Sequence, residues 1–155
     1  MSEDAVKKEK NLQGIRGWLL LVAVGVVGAP IITGVSLAWM LPLISHLGDL
    51  VSYDSTLGFL VIFSTIGQVL LLLVAIIVVF KFFTKARVFP KLYIALLAFG
   101  IVLGVADLAM LNLLSPGETL EHSKNAARLG AQGFWSLVWG AYILKSKRVK
   151  ATFIE

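Results

Sequence analysis

Lys91 to Leu114 reads KLYIALLAFGIVLGVADLAMLNLL, an apolar run broken by a single carboxylate, Asp107. A run of this length is long enough to cross the roughly 30 Å hydrocarbon core of a bilayer as one helix. An ionisable group within such a helix is costly unless it is paired or hydrated, so Asp107 is expected to face other helices. Gly100, Gly104 and Asp107 share one helical stripe, and the Gly-x-x-x-Gly spacing marks a face on which a second helix can approach closely.

The rest of the chain agrees with a membrane protein. It has 155 residues, room for one domain, with 58% hydrophobic and only 15% charged residues. Its apolar segments predict an all-α membrane protein, an antiparallel four-transmembrane-helix bundle. The spans are expected at about 17–44, 57–80, 91–114 and 125–145, within a domain covering 14–147. Residues 1–13 and 148–155 read as polar tails. The first apolar block is too long for a secretory signal and is read as a span, although Ser36-Leu37-Ala38 resembles a cleavage site. Pro30 should bend that span.

The segment from His46 to Thr56 reads as a short connection resting on the membrane surface. Lys81 to Lys91 is a tight basic loop. Ser115-Pro116-Gly117-Glu118 has the pattern of a capping box that starts the last helix. The apolar part of that helix, Leu129 to Leu144, covers only about 24 Å, so a full crossing must draw Arg128 into the membrane.

Lys and Arg counts give an orientation. Lys7, Lys8, Lys10 and Arg16 precede the first span, and Lys81, Lys85, Arg87 and Lys91 join the second and third. Lys145, Lys147, Arg148 and Lys150 follow the last, leaving only Lys124 and Arg128 elsewhere. The positive-inside rule then places both termini in the cytoplasm.

A glycine-tryptophan opening at Gly14 to Leu19, four spans, a basic Phe-Pro loop and the ending Ser146-Lys147-Arg148-Val149-Lys150-Ala151-Thr152-Phe153 occur together. The combination resembles the domain-of-unknown-function 2569 family of small bacterial inner-membrane proteins. Arg16 departs from the glycine expected in the opening. The resemblance implies a multi-pass location in the inner membrane and carries no activity or catalytic residues.

Counted from the cytoplasmic edge, Thr33, Ser64, Asp107 and Arg128 share a height of roughly 24–26 Å. Asp107 and Arg128 are therefore expected to form an intramembrane charge pair. Thr33, Ser64, Gln68, Gln132 and Ser136 make up a polar layer around it, and Gly100, Gly104 and Gly140 are candidates for close helix packing. The layer is either a clasp between helices or a polar chamber opening outward.

His46, His122, Asp49, Asp54, Glu118 and Glu121 all fall on the outer side, but their spacing matches no ligand pattern. No metal and no cofactor is expected: cysteine is absent, and no span holds a histidine for haem. Lys145, Lys147, Arg148 and Lys150 are candidates for contact with anionic lipid or a cytoplasmic partner. Nucleic-acid modules, phosphate loops and nucleophile elbows are lacking, so no enzymatic role is expected. The reading favoured by sequence is an accessory, scaffold or oligomerising subunit, working as a homo-oligomer or beside another membrane protein. The alternative is a small transporter or channel subunit built on the Asp107 and Arg128 layer.

Overall fold

In the membrane the backbone cannot bond to solvent, so long apolar segments close their hydrogen bonds internally as helices. The computed structural model describes residues 17–114 and 119–153, and among these every regular element is helical. Helix α1 is Trp18–Ser45, α2 is Leu47–Tyr53, α3 is Ser55–Phe83, α4 is Phe89–Leu114, α5 is Thr119–Lys145 and α6 is Lys147–Thr152. Among the described residues three stretches are long and apolar enough to cross a membrane: Trp18–Ser45, Gly58–Phe83 and Phe89–Ala109. The protein is thus a multi-pass membrane protein by the length and hydropathy of its helices. Their outer faces carry large exposed apolar side chains such as Val24, Ile31, Trp39 and Val102, as expected where lipid is the solvent.

Helix α1 runs through both Pro30 and Pro42. Near Pro30, the Thr33 hydroxyl donates to the Ala29 carbonyl at 2.9 Å, a back-bond that accompanies helix bending. The segment expected to be a connection on the membrane surface instead contains α2. The next helix opens at Asp54, whose Oδ1 accepts from the Thr56 amide at 2.7 Å. Gly58 makes this corner compact, because a Cβ there would collide with the Val51 side chain and lie 3.2 Å from its Cα.

Helix α3 ends in a Schellman turn. Lys85 is left-handed at φ 52°, its amide donates to the Phe82 carbonyl, and the Ala86 amide donates to the Lys81 carbonyl. Pro90 sits in the first turn of α4, where its missing amide donor leaves no helical bond broken. The expected capping box at 115–118 lies outside the described residues.

Helix α1 packs on α3, α3 on α4 and α4 on α5, while α2 rests on α3. Helices α1 and α5, which would close the ring, form no interface of comparable extent. They are joined at one end only, through a core of Leu19, Val22, Val26, Ala75, Val78, Phe82, Phe89, Tyr93, Leu96, Ile143, Val149 and Phe153.

That core corrects the expected boundary at residue 147. The chain breaks at Ser146, whose hydroxyl accepts from the Val149 amide at 3.4 Å, and α6 turns back under the bundle. Val149, Thr152 and Phe153 are buried there. Phe153 stacks on Phe89 with ring centroids 4.4 Å apart and meets Phe82 at 5.6 Å. A Lys/Arg-rich segment folds as part of the domain because Val149 and Phe153, four residues apart, fall on one helical face. The bundle therefore has an apolar floor at the α6 end, and α1 and α5 share no interface as extensive as those of the neighbouring pairs.

Candidate functional site

Above the floor the interior changes character. A cavity of about 390 Å³ lies between α1, α3, α4 and α5. Its polar wall consists of Thr33, Ser36, Gln68, Asp107, Gln132 and Ser136, set among Ala29, Leu71, Leu96, Gly100, Leu103 and Gly104. Thr33, Ser64 and Ser136 are buried.

Of the residues read as a polar layer, Thr33, Gln68, Gln132 and Ser136 border this one space, together with Asp107. Ser64 reaches the same place indirectly. Its hydroxyl donates to Asp107 Oδ2 at 3.4 Å, bridging α3 and α4.

Asp107 Oδ1 is buried without a hydrogen-bond partner among the described residues, and so is Gln68 Oε1. The Gln68 amide nitrogen lies 3.8 Å from Met40 Sδ, a weak acceptor. A buried polar atom left unpaired costs about 1–3 kcal/mol, so two of them in one cavity mark a place for donors from outside the fold.

Asp107 also borders a second cavity, of about 280 Å³, together with Gly104, Leu108, Asn125, Arg128, Leu129 and Gln132. Arg128 therefore stands across this space from Asp107, yet the two form no ion pair within 4.0 Å. Arg128 is exposed on α5, and the Asp107 carboxylate turns instead toward Ser64 on the opposite neighbour. The two charges border one cavity without pairing.

Glycine permits the approach of α5. A Cβ at Gly100 would stand 3.2 Å from Gln132 Nε2, and one at Gly104 would stand 2.7 Å from Leu129 Cδ1. Gly140 differs. A Cβ there meets nothing within 4 Å, and the residue borders an apolar groove between α4 and α5 rather than a helix contact.

At the α6 end, Lys145, Lys147 and Lys150 are exposed. Arg148 is half-buried, and a Cβ on Gly17 would come within 3.4 Å of its guanidinium. At the other end, His46 Nδ1 lies 3.5 Å from Asp49 Oδ2, and Asp54 caps α3. His122 is half-buried, and the side chains of Glu118 and Glu121 lie outside the described residues. Among the described residues no three such side chains converge on a common point.

Sequence reasoning overlooked Ser36 and Asn125. Each was legible as a helical neighbour, Ser36 three residues after Thr33 and Asn125 three before Arg128.

A family model described as a protein of unknown function (DUF2569) matches residues 12–154. The chain belongs to this family. The match extends from before α1 through α6, so the docked C-terminal helix lies within the family's span. No curated protein and no solved structure matches.

Proposed function

We propose that this family member is a non-enzymatic protein of the bacterial inner membrane that crosses it four times, with both termini cytoplasmic. It receives a small polar solute in the chamber around Asp107, as a binding or transport subunit. The observation that carries this reading is a cavity of about 390 Å³ lined by hydroxyls, amides and Asp107, whose Oδ1 has no hydrogen-bond partner among the described residues. A clasp between helices would fill that space and pair that oxygen. An accessory or scaffold role, favoured by sequence, gives no reason for a hollow lined by amides and hydroxyls.

Helix α5 supplies the fourth crossing. Its 27 residues extend about 40 Å, and it packs along α4 at the Gly100 and Gly104 contacts. The basic loop between α3 and α4 and the basic α6 lie at one end, supporting cytoplasmic termini.

Because the chain contains no cysteine, single cysteines report on hydration. Cysteine at Ser36 or Gln132 should react with a small charged thiosulfonate reagent, at rates well above cysteine at the lipid-facing Val24. Chamber cysteines as inert as Val24→Cys would mean a dry interior and would end the solute reading.

A further inference from the structure

Two residues that line the chamber carry buried acceptors with no hydrogen-bond partner among the described residues, Asp107 Oδ1 and Gln68 Oε1. The group that satisfies them must therefore carry hydrogen-bond donors, and beside a carboxylate an ammonium answers best. Arg128 adds the complementary half. It borders the cavity that Asp107 shares, without an ion-pair partner among the described residues, in a helix read as crossing the membrane. A guanidinium in that position favours a phosphate or carboxylate.

The helix register gives the spacing of the two halves. Gly100 faces Gln132 and Gly104 faces Leu129 across antiparallel α4 and α5. Continuing that register sets Asp107 level with about residue 126, so Arg128 lies roughly 3 Å nearer the α6 end. At that register the Asp107 and Arg128 backbones stand within one helical turn of each other along the bundle, so one ligand of headgroup size can span both side chains. The chamber is lined from α1, α3, α4 and α5, and α1 and α5 share no interface as extensive as those of the neighbouring helix pairs.

We infer that the Asp107 and Arg128 cavities together form a site for a zwitterion, taking its ammonium at Asp107 and its anionic oxygen at Arg128. This inference rests on the chamber reading above and names its ligand class. Two sources carry the chemistry: the headgroup of an aminophospholipid in the outer leaflet, or a free phosphorylated amine.

The test uses the full chain in mixed micelles containing equal phosphatidylethanolamine, phosphatidylcholine and phosphatidylglycerol, with retained lipid read by native mass spectrometry. Phosphatidylcholine has the same charges but no N–H donors, and phosphatidylglycerol has no ammonium. Phosphatidylethanolamine should be retained at least fivefold over both. Asp107→Asn should erase its advantage over phosphatidylglycerol, Asp107→Glu should keep much of it, and Arg128→Gln should lower retention of both zwitterions. Lys147→Gln with Lys150→Gln should leave the ethanolamine-to-choline ratio unchanged.

In a separate arm, water-soluble glycerophosphoethanolamine is added to lipid-depleted protein. An Asp107-dependent rise in its unfolding midpoint, without lipid selectivity, would support the same site with the free compound as its source. Equal retention of the three lipids by the unaltered chain, together with no midpoint shift, overturns the inference without recourse to any variant. If chamber cysteines still label in that case, the ligand class is wrong and the chamber reading stands; if they do not, both fall.

Discussion

The Ser64 hydroxyl donates to Asp107 Oδ2 at 3.4 Å, joining α3 to α4 at the level where the bundle turns polar. Arg128, on the other neighbour of α4, remains beyond ion-pair distance. With Oδ2 bonded to Ser64, the second carboxylate oxygen is buried without a hydrogen-bond partner among the described residues, on a residue that lines the chamber.

One consequence is energetic. Breaking a dry ion pair strands a charge and costs about 3–5 kcal/mol, whereas separated charges contribute nearly independently. Asp107→Ala and Arg128→Ala should therefore combine almost additively, with a coupling below about 1 kcal/mol in a double-mutant cycle. Unfolding in mixed detergent measures it. A double variant markedly more stable than the sum of its parts would show that the charges meet.

The docked C-terminus should be a structural element. Phe153 stacks on Phe89 and touches Phe82, and all three are buried. Phe153→Ala should cost about 3 kcal/mol, and Phe153→Leu less than half as much. Proteolysis at Ser146 should accelerate in the alanine variant, since Ser146 is where the chain turns into α6.

Thr152 predicts a change of opposite sign. Its hydroxyl is buried with no hydrogen-bond partner among the described residues. Thr152→Val keeps the shape and removes the unpaired group, so stability should rise by about 1 kcal/mol. A loss of comparable size would mean that the hydroxyl has a bonding role.

Glycines should differ in their tolerance of a methyl group. At Gly58 the added atom meets the Val51 backbone as well as its side chain, while at Gly104 it meets only the tip of Leu129. Gly58→Ala should cost about 1–3 kcal/mol, and Gly104→Ala should be near neutral because alanine's better helix propensity offsets a small shift of Leu129. The order of the two unfolding midpoints decides this.

Orientation is open to direct chemistry. Cysteine at Ser52 or Lys124 should react with an impermeant thiol reagent on intact cells, and cysteine at Thr84 or Ala151 only after the membrane is opened. The inverse pattern would reverse the topology and move the chamber to the cytoplasmic leaflet.

Much of this protein follows from local chemistry. Apolar runs as long as Trp18–Ser45 and Phe89–Ala109 mark themselves as membrane helices, because backbone in lipid has no other way to satisfy its hydrogen bonds. The heights of Thr33, Ser64, Asp107 and Arg128 follow from helical rise counted along each helix, and the Gly100/Gly104 stripe follows from helical period. Rotation of one helix about its axis relative to the next leaves no comparable trace in a single segment. Tertiary packing decided that Asp107 turns to Ser64 on α3 rather than to Arg128 on α5. It also decided that side chains from α1, α3, α4 and α5 surround a cavity at the polar layer. The C-terminal segment divides in the same way: its charges read as solvated, yet Phe153 is buried. Only the aromatic surface offered jointly by Phe82 and Phe89, brought together by the turn between α3 and α4, gives that ring a place to pack.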